Sequence, residues 1–160
     1  DRIMKFLSLF LVFVFLLSCT GTVEEENPLE GTWELVSGKM TWADSSISYP
    51  YSDYHRMIKI ISKKHFVFIN QDTTREEYSD FGGGTYSFEG DVYTEHIEFF
   101  SSVDFIGKSF SFNSEIKGDQ WIMSGLFPLN KMGLGEFDME IYAAFSNIGK
   151  YRSNFLTYFI

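Results

Sequence analysis

Alternation with a period of two runs through most of this chain, and it narrows the fold more than any other feature. In "YSFEGDVYTEHIEFF", residues 86–100, large apolar side chains recur at every second position on both sides of Gly90-Asp91. Successive side chains of a strand point to opposite faces, so the pattern makes one face apolar and the other polar. Gly-Asp between two such runs reads as a hairpin turn, since Gly takes the positive φ the turn demands. The same pair recurs at Gly118-Asp119. No window carries the i, i+3, i+4, i+7 spacing of an amphipathic helix.

The alternation predicts strands at 31–42, 56–62, 65–71, 84–89, 92–101, 107–117, 120–127 and 136–145. Ser62-Lys63-Lys64 reads as a tight reversal, "FGGG" at 81–84 as a looser, mobile connection, and "ADSSISYPYSDYH" at 43–55 as one long loop. Eight strands joined in sequence by short turns predict an all-β fold, an up-and-down antiparallel eight-stranded β-barrel. Closure removes sticky edges, and eight strands leave room for one small ligand. The alternative, a two-sheet sandwich, would want several crossover connections, and no segment is long enough to make them.

Facing follows from the same parity. Tyr93, Glu95, Ile97 and Phe99 share one face of their strand; Val92, Thr94, His96, Glu98 and Phe100 share the other. Tyr86 and Phe88 alternate with Thr85 and Ser87, and Phe110 and Phe112 with Ser109 and Ser111. The consistent solution turns Tyr86, Phe88, Tyr93, Ile97, Phe99, Phe110 and Phe112 inward and carries Glu95 with them. A carboxylate in an apolar lumen must be paired, hydrogen-bonded or protonated. The tyrosine hydroxyls of Tyr86 or Tyr93, or Arg56, are the partners this reading offers. Glu95 is then either the polar anchor of a ligand cavity or a structural carboxylate tying strands together.

The N-terminus speaks to compartment. Arg2 and Lys5 precede "FLSLFLVFVFLL" at 6–17, a 12-residue apolar run too short to span a membrane as a helix. Leu16-Leu17-Ser18-Cys19 resembles the lipobox of bacterial lipoproteins, which implies cleavage before Cys19 and acylation of its thiol; an ordinary signal peptide with an incidental thiol is the other reading. Cys19 is the sole cysteine, so no internal disulfide forms. The resemblance divides the chain into a signal peptide at 1–18, an acidic tether at 19–28, a barrel domain at 29–145 and an irregular tail at 146–160. Glu24-Glu25-Glu26 resembles the export signal of Bacteroidetes surface lipoproteins, or is simply a solvated tether. The implied location is the cell envelope, on an outer membrane, with surface exposure. Cleavage would move the formal charge from −9 to −10, which argues against nucleic acid as a partner.

The domain opens with "LEGTWELVSG", and Gly31-x-Trp33 at the head of the first strand resembles the lipocalin signature. That resemblance extends through "KIISKKHFVFIN", "GGGTYSFEGDVYTEHIEFF" and "IKGDQWIMSG", over roughly residues 29–127, and implies that Trp33 packs across one barrel end. It also implies a small, mostly apolar ligand, with the 43–55 loop as a lid. The late arginine of that family has no counterpart within the predicted strands. Against this stand a side-chain-filled barrel with a structural or protein-interaction role, and an enzyme using Glu95 as general acid or base. The chain shows no G-x-S-x-G elbow, no HExxH and no cysteine nucleophile, and Gly82-Gly83-Gly84 is no phosphate cradle. The reading is therefore of a non-enzyme with no cofactor and no metal.

Overall fold

The strand ladder in this molecule returns to its own start. The computed structural model describes residues 27–149 apart from 51, 75 and 76, with backbone alone at 77–79. Its strands are β1 (Gly31–Trp42), β2 (Ser45–Tyr49), β3 (His55–Ile61), β4 (His65–Asp72) and β5 (Glu77–Glu89). They continue with β6 (Val92–Phe100), β7 (Ser109–Lys117), β8 (Gln120–Phe127) and β9 (Met139–Gly149), and a short 3-10 turn (Val103–Phe105) follows β6. β3 through β9 pair antiparallel in chain order, while β1 pairs with both β3 and β9. That closes an eight-stranded up-and-down barrel and excludes the sandwich. Gly90 and Gly118 hold φ of 64° and 59° in the two Gly-Asp hairpins, as the turn chemistry requires.

β2 is a ninth strand outside the ring. β1 gives its first residues, Gly31 to Glu34, to β3 and its last, Gly38 to Trp42, to β2. The 43–55 segment is therefore a hairpin arm followed by a short loop, a correction to the single long loop. Five residues rich in serine and followed by a proline carry too little alternation to announce a strand.

Two further corrections concern boundaries. The glycines at 82–84 lie inside β5, which starts seven residues earlier than the alternation suggested, because three glycines hide a strand from any side-chain pattern. They are not a loose connection. At the other end β9 starts at Met139 and runs to Gly149, so Ser146 and Asn147 are ladder residues paired with β1, not part of an irregular tail. The leader at 1–18, Cys19, the acidic run and residues 150–160 lie outside the described residues.

One half of the barrel is solid. Trp33, Trp121, Tyr93, Phe66, Phe145, Ile61 and Leu29 are almost fully buried there. Trp121 sits at the centre, 5.0 Å from Phe145, 5.1 Å from Tyr93 and 5.6 Å from Trp33 between ring centroids. Both indoles donate hydrogen bonds, Trp33 Nε1 to the Leu29 carbonyl at 2.7 Å and Trp121 Nε1 to Ser114 Oγ at 2.7 Å. Buried large side chains contribute roughly 1.5–3 kcal/mol each, so this plug is the main hydrophobic anchor of the fold. It leaves the other half free to be hollow.

Candidate functional site

The hollow half holds a cavity of about 430 Å³. Its wall is aromatic and aliphatic: Phe110 and Phe127 stack at 4.2 Å, Phe100 and Phe105 at 4.6 Å, and Phe68 lies 5.5 Å from Phe100. Met57, Met123, Ile141 and Ala143 add apolar lining from β3, β8 and β9. Thioethers and rings of this kind fill irregular space without polar atoms to satisfy.

A buried ion pair makes the floor. Lys59 on β3 and Glu95 on β6 point inward and bond Nζ to Oε1. Five rings surround the ammonium: Phe66, Tyr93 and Trp121 at 5.6 Å to centroid, Phe145 at 5.8 Å and Phe68 at 6.0 Å. Their electron-rich faces stabilise a cation out of water. Burial, and next the Glu95 charge, hold the Tyr93 phenol well above its usual value, so it stays protonated beside the carboxylate. The ionic partner of Glu95 is thus Lys59 and not Arg56, while Tyr93 of the predicted pair does lie against the same carboxylate. Arg56 faces outward and bonds Glu34 at 2.6 Å. Lys59 was nonetheless legible: it shares parity with Met57 and Ile61, both inward, in "RMIKIIS".

The mouth carries the hairpin arm. Tyr49 from β2 lines the cavity, and its ring lies 5.5 Å from that of His55, which is buried at the head of β3. Burial lowers the His55 pKa from 6.5, against opposing contributions from its Asn70 hydrogen bond and the Asp72 charge. The unfolded chain therefore takes up a proton near pH 6.5 that the folded one refuses, and stability must fall as pH drops below that value. Thermal melts between about pH 7.5 and 5.5 should show this loss, reduced in His55→Gln; an identical pH slope in that variant would remove His55 from the account.

The predicted inward residues divide. Glu95, Ile97, Phe110 and Phe112 are buried and border the cavity. Tyr93 is buried in the plug below it, while Tyr86 and Phe88 are half-buried at the closed end. Tyr86 donates to the Ser62 carbonyl at 2.7 Å and accepts from Asn27 at 2.5 Å. Trp33 packs at that same end, 1% exposed.

Phe99 is the correction: it faces outward, 43% exposed, and Phe100 takes the inward place. Ile97 pairs with Gly84 and Phe99 with Gly83, so Glu98 is an extra residue, a bulge that reverses parity. The bulge also explains the glycines. A Cβ on Gly84 would lie 2.0 Å from the His96 carbonyl oxygen, and one on Gly83 would meet both the Phe66 carbonyl and the Phe99 ring at 2.5 Å.

His96 and Glu98 face outward, His96 Nδ1 lying 2.9 Å from Ser109 Oγ. Among the described residues no three His, Cys, Asp or Glu side chains converge as a metal site would need. Comparisons with protein-family models, curated proteins and solved structures return no match.

Proposed function

We propose that this chain is a lipocalin-like carrier of one small, mostly apolar molecule, tethered to an envelope membrane through an acylated Cys19. The observation that carries the reading is the half-filled barrel: a solid aromatic plug below and a mostly apolar cavity of about 430 Å³, open at its mouth, above. Ligand sites of roughly 300–1,000 Å³ with apolar walls and a few fixed polar groups are the common pattern. The Leu16-Leu17-Ser18-Cys19 context supports the anchor and an outer-membrane, surface-facing location. The reading is of a binding protein rather than an enzyme: Glu95, the acid that a catalytic role would use, is engaged by Lys59.

The neutral dye N-phenylnaphthylamine should bind one-to-one with a blue shift. Ala143→Phe, which pushes a ring from β9 into the cavity, should weaken it about tenfold or more. Dye binding that is unsaturable, or untouched in a folded Ala143→Phe protein, would defeat the carrier reading. In cells, labelled palmitate should enter the parent chain and not Cys19→Ala; equal labelling would defeat the anchor.

A second reading, docking onto another envelope protein, draws on the outward Phe81 and Phe99, 47% and 43% exposed on adjacent strands. Capture of a partner that survives Ala143→Phe and is lost in Phe81→Ser would favour it.

A further inference from the structure

Three charged side chains border the cavity among the described residues: Lys59, Glu95 and Asp80. Their formal sum is one negative charge. What matters more is which of them a ligand can reach. The Lys59 side chain is 3% exposed, enclosed by its five rings, whereas that of Glu95 is 8% exposed and its carboxylate has acceptor capacity beyond the one bond to Lys59. The ammonium is thus already committed to its partner. Asp80, on β5 nearer the mouth, accepts from the Ser101 hydroxyl and from the Phe81 N–H at 3.0 Å, and its carboxylate also borders the cavity. Both carboxylates that border the cavity are acceptors, and the lysine beside them is bonded to one of the two.

A buried ion pair is also a poor device for stability, because apolar residues of similar volume usually serve as well or better. Its presence at the floor of an otherwise greasy chamber is better explained by what it offers to an occupant. We infer that the ligand is an amphiphile whose polar end donates hydrogen bonds, an alcohol or a protonated amine, and that carboxylate-headed lipids are rejected. A donor head placed against Glu95 or Asp80 is satisfied; a carboxylate there meets like charge in a medium that screens poorly. This inference rests on the carrier reading and narrows it.

The test is displacement of N-phenylnaphthylamine from the full chain by decanol, decylamine and decanoate, which share a tail and differ in the head. Decanol and decylamine should displace the dye, with decanoate about tenfold weaker or worse. Asp80→Asn and Glu95→Gln should each strengthen decanoate and weaken decylamine. Asp80 is half-buried at the mouth, so its variant remains informative if Glu95→Gln fails to fold. Decanoate binding as tightly as decanol, or an order of affinities that neither variant moves, would overturn the inference. If the dye binds and none of the three displaces it, the donor-head inference falls and the carrier reading stands. If the dye itself does not bind, both fall.

Discussion

Gly84→Ala is expected to cost about 3 kcal/mol or more, placing it among the exceptional single substitutions. Most destabilising changes remove contacts; this one inserts a methyl group where backbone already stands. The new Cβ would sit 2.0 Å from the His96 carbonyl oxygen and 2.8 Å from the Glu98 nitrogen, both main-chain atoms of the bulged strand. No rotamer change relieves such a contact, so β5 and β6 must separate or the bulge must be expelled. Expelling it would turn Phe99 inward and displace Phe100 from the cavity wall. The comparison is Gly90→Ala, where nothing lies within 4 Å and only the positive φ of 64° is at stake, for about 1 kcal/mol. Urea midpoints of the two variants would decide the matter. Equal losses would mean that the close approach is softer than its geometry says.

Lys59→Met should be comparably damaging, by about 3–5 kcal/mol, because it strands the Glu95 carboxylate among aromatic rings. Glu95→Leu should do similar harm by leaving an ammonium without its counter-charge. The double variant Lys59→Met/Glu95→Leu is expected to recover most of the loss, since neither charge is then buried. Denaturation of all four proteins closes a double-mutant cycle, and the coupling should be large and favourable. Single losses that merely add would show that the two side chains act independently, against the bond between them. Cavity binding separates from stability here: the double variant should keep the apolar dye, and its preference among head groups should shrink to what Asp80 alone supplies.

The barrel was legible because its strands alternate and its turns are marked, and because eight consecutive hairpin partners have few ways to avoid closing. Four features resisted, each for its own physical reason. A glycine segment has no side-chain pattern, so the first half of β5 left no trace of period two. A bulge preserves the alternation of letters while reversing the alternation of faces, and nothing in "EHIEFF" marks Glu98 as the extra residue, hence Phe99 for Phe100. Burial of Lys59 runs against the expectation that lysine faces water, although its parity with Met57 and Ile61 pointed inward all along. The hollow itself could not be read, because Phe110 and Phe112 against the cavity and Trp121 in the plug are equally apolar letters. Only their position along the barrel axis separates lining from filling.

β1 lends its edge first to β3 and then to β2, so the ring is seamless near the plug and forked near the rim. The fork's free prong is five residues long and fastened to a single described neighbour, while every strand of the ring is laced on both sides. A molecule seeking the interior therefore meets unequal resistance around the rim. On the carrier reading proposed above, the doorway to expect is sideways, past the prong that bears Tyr49, and not straight down through the laced ring.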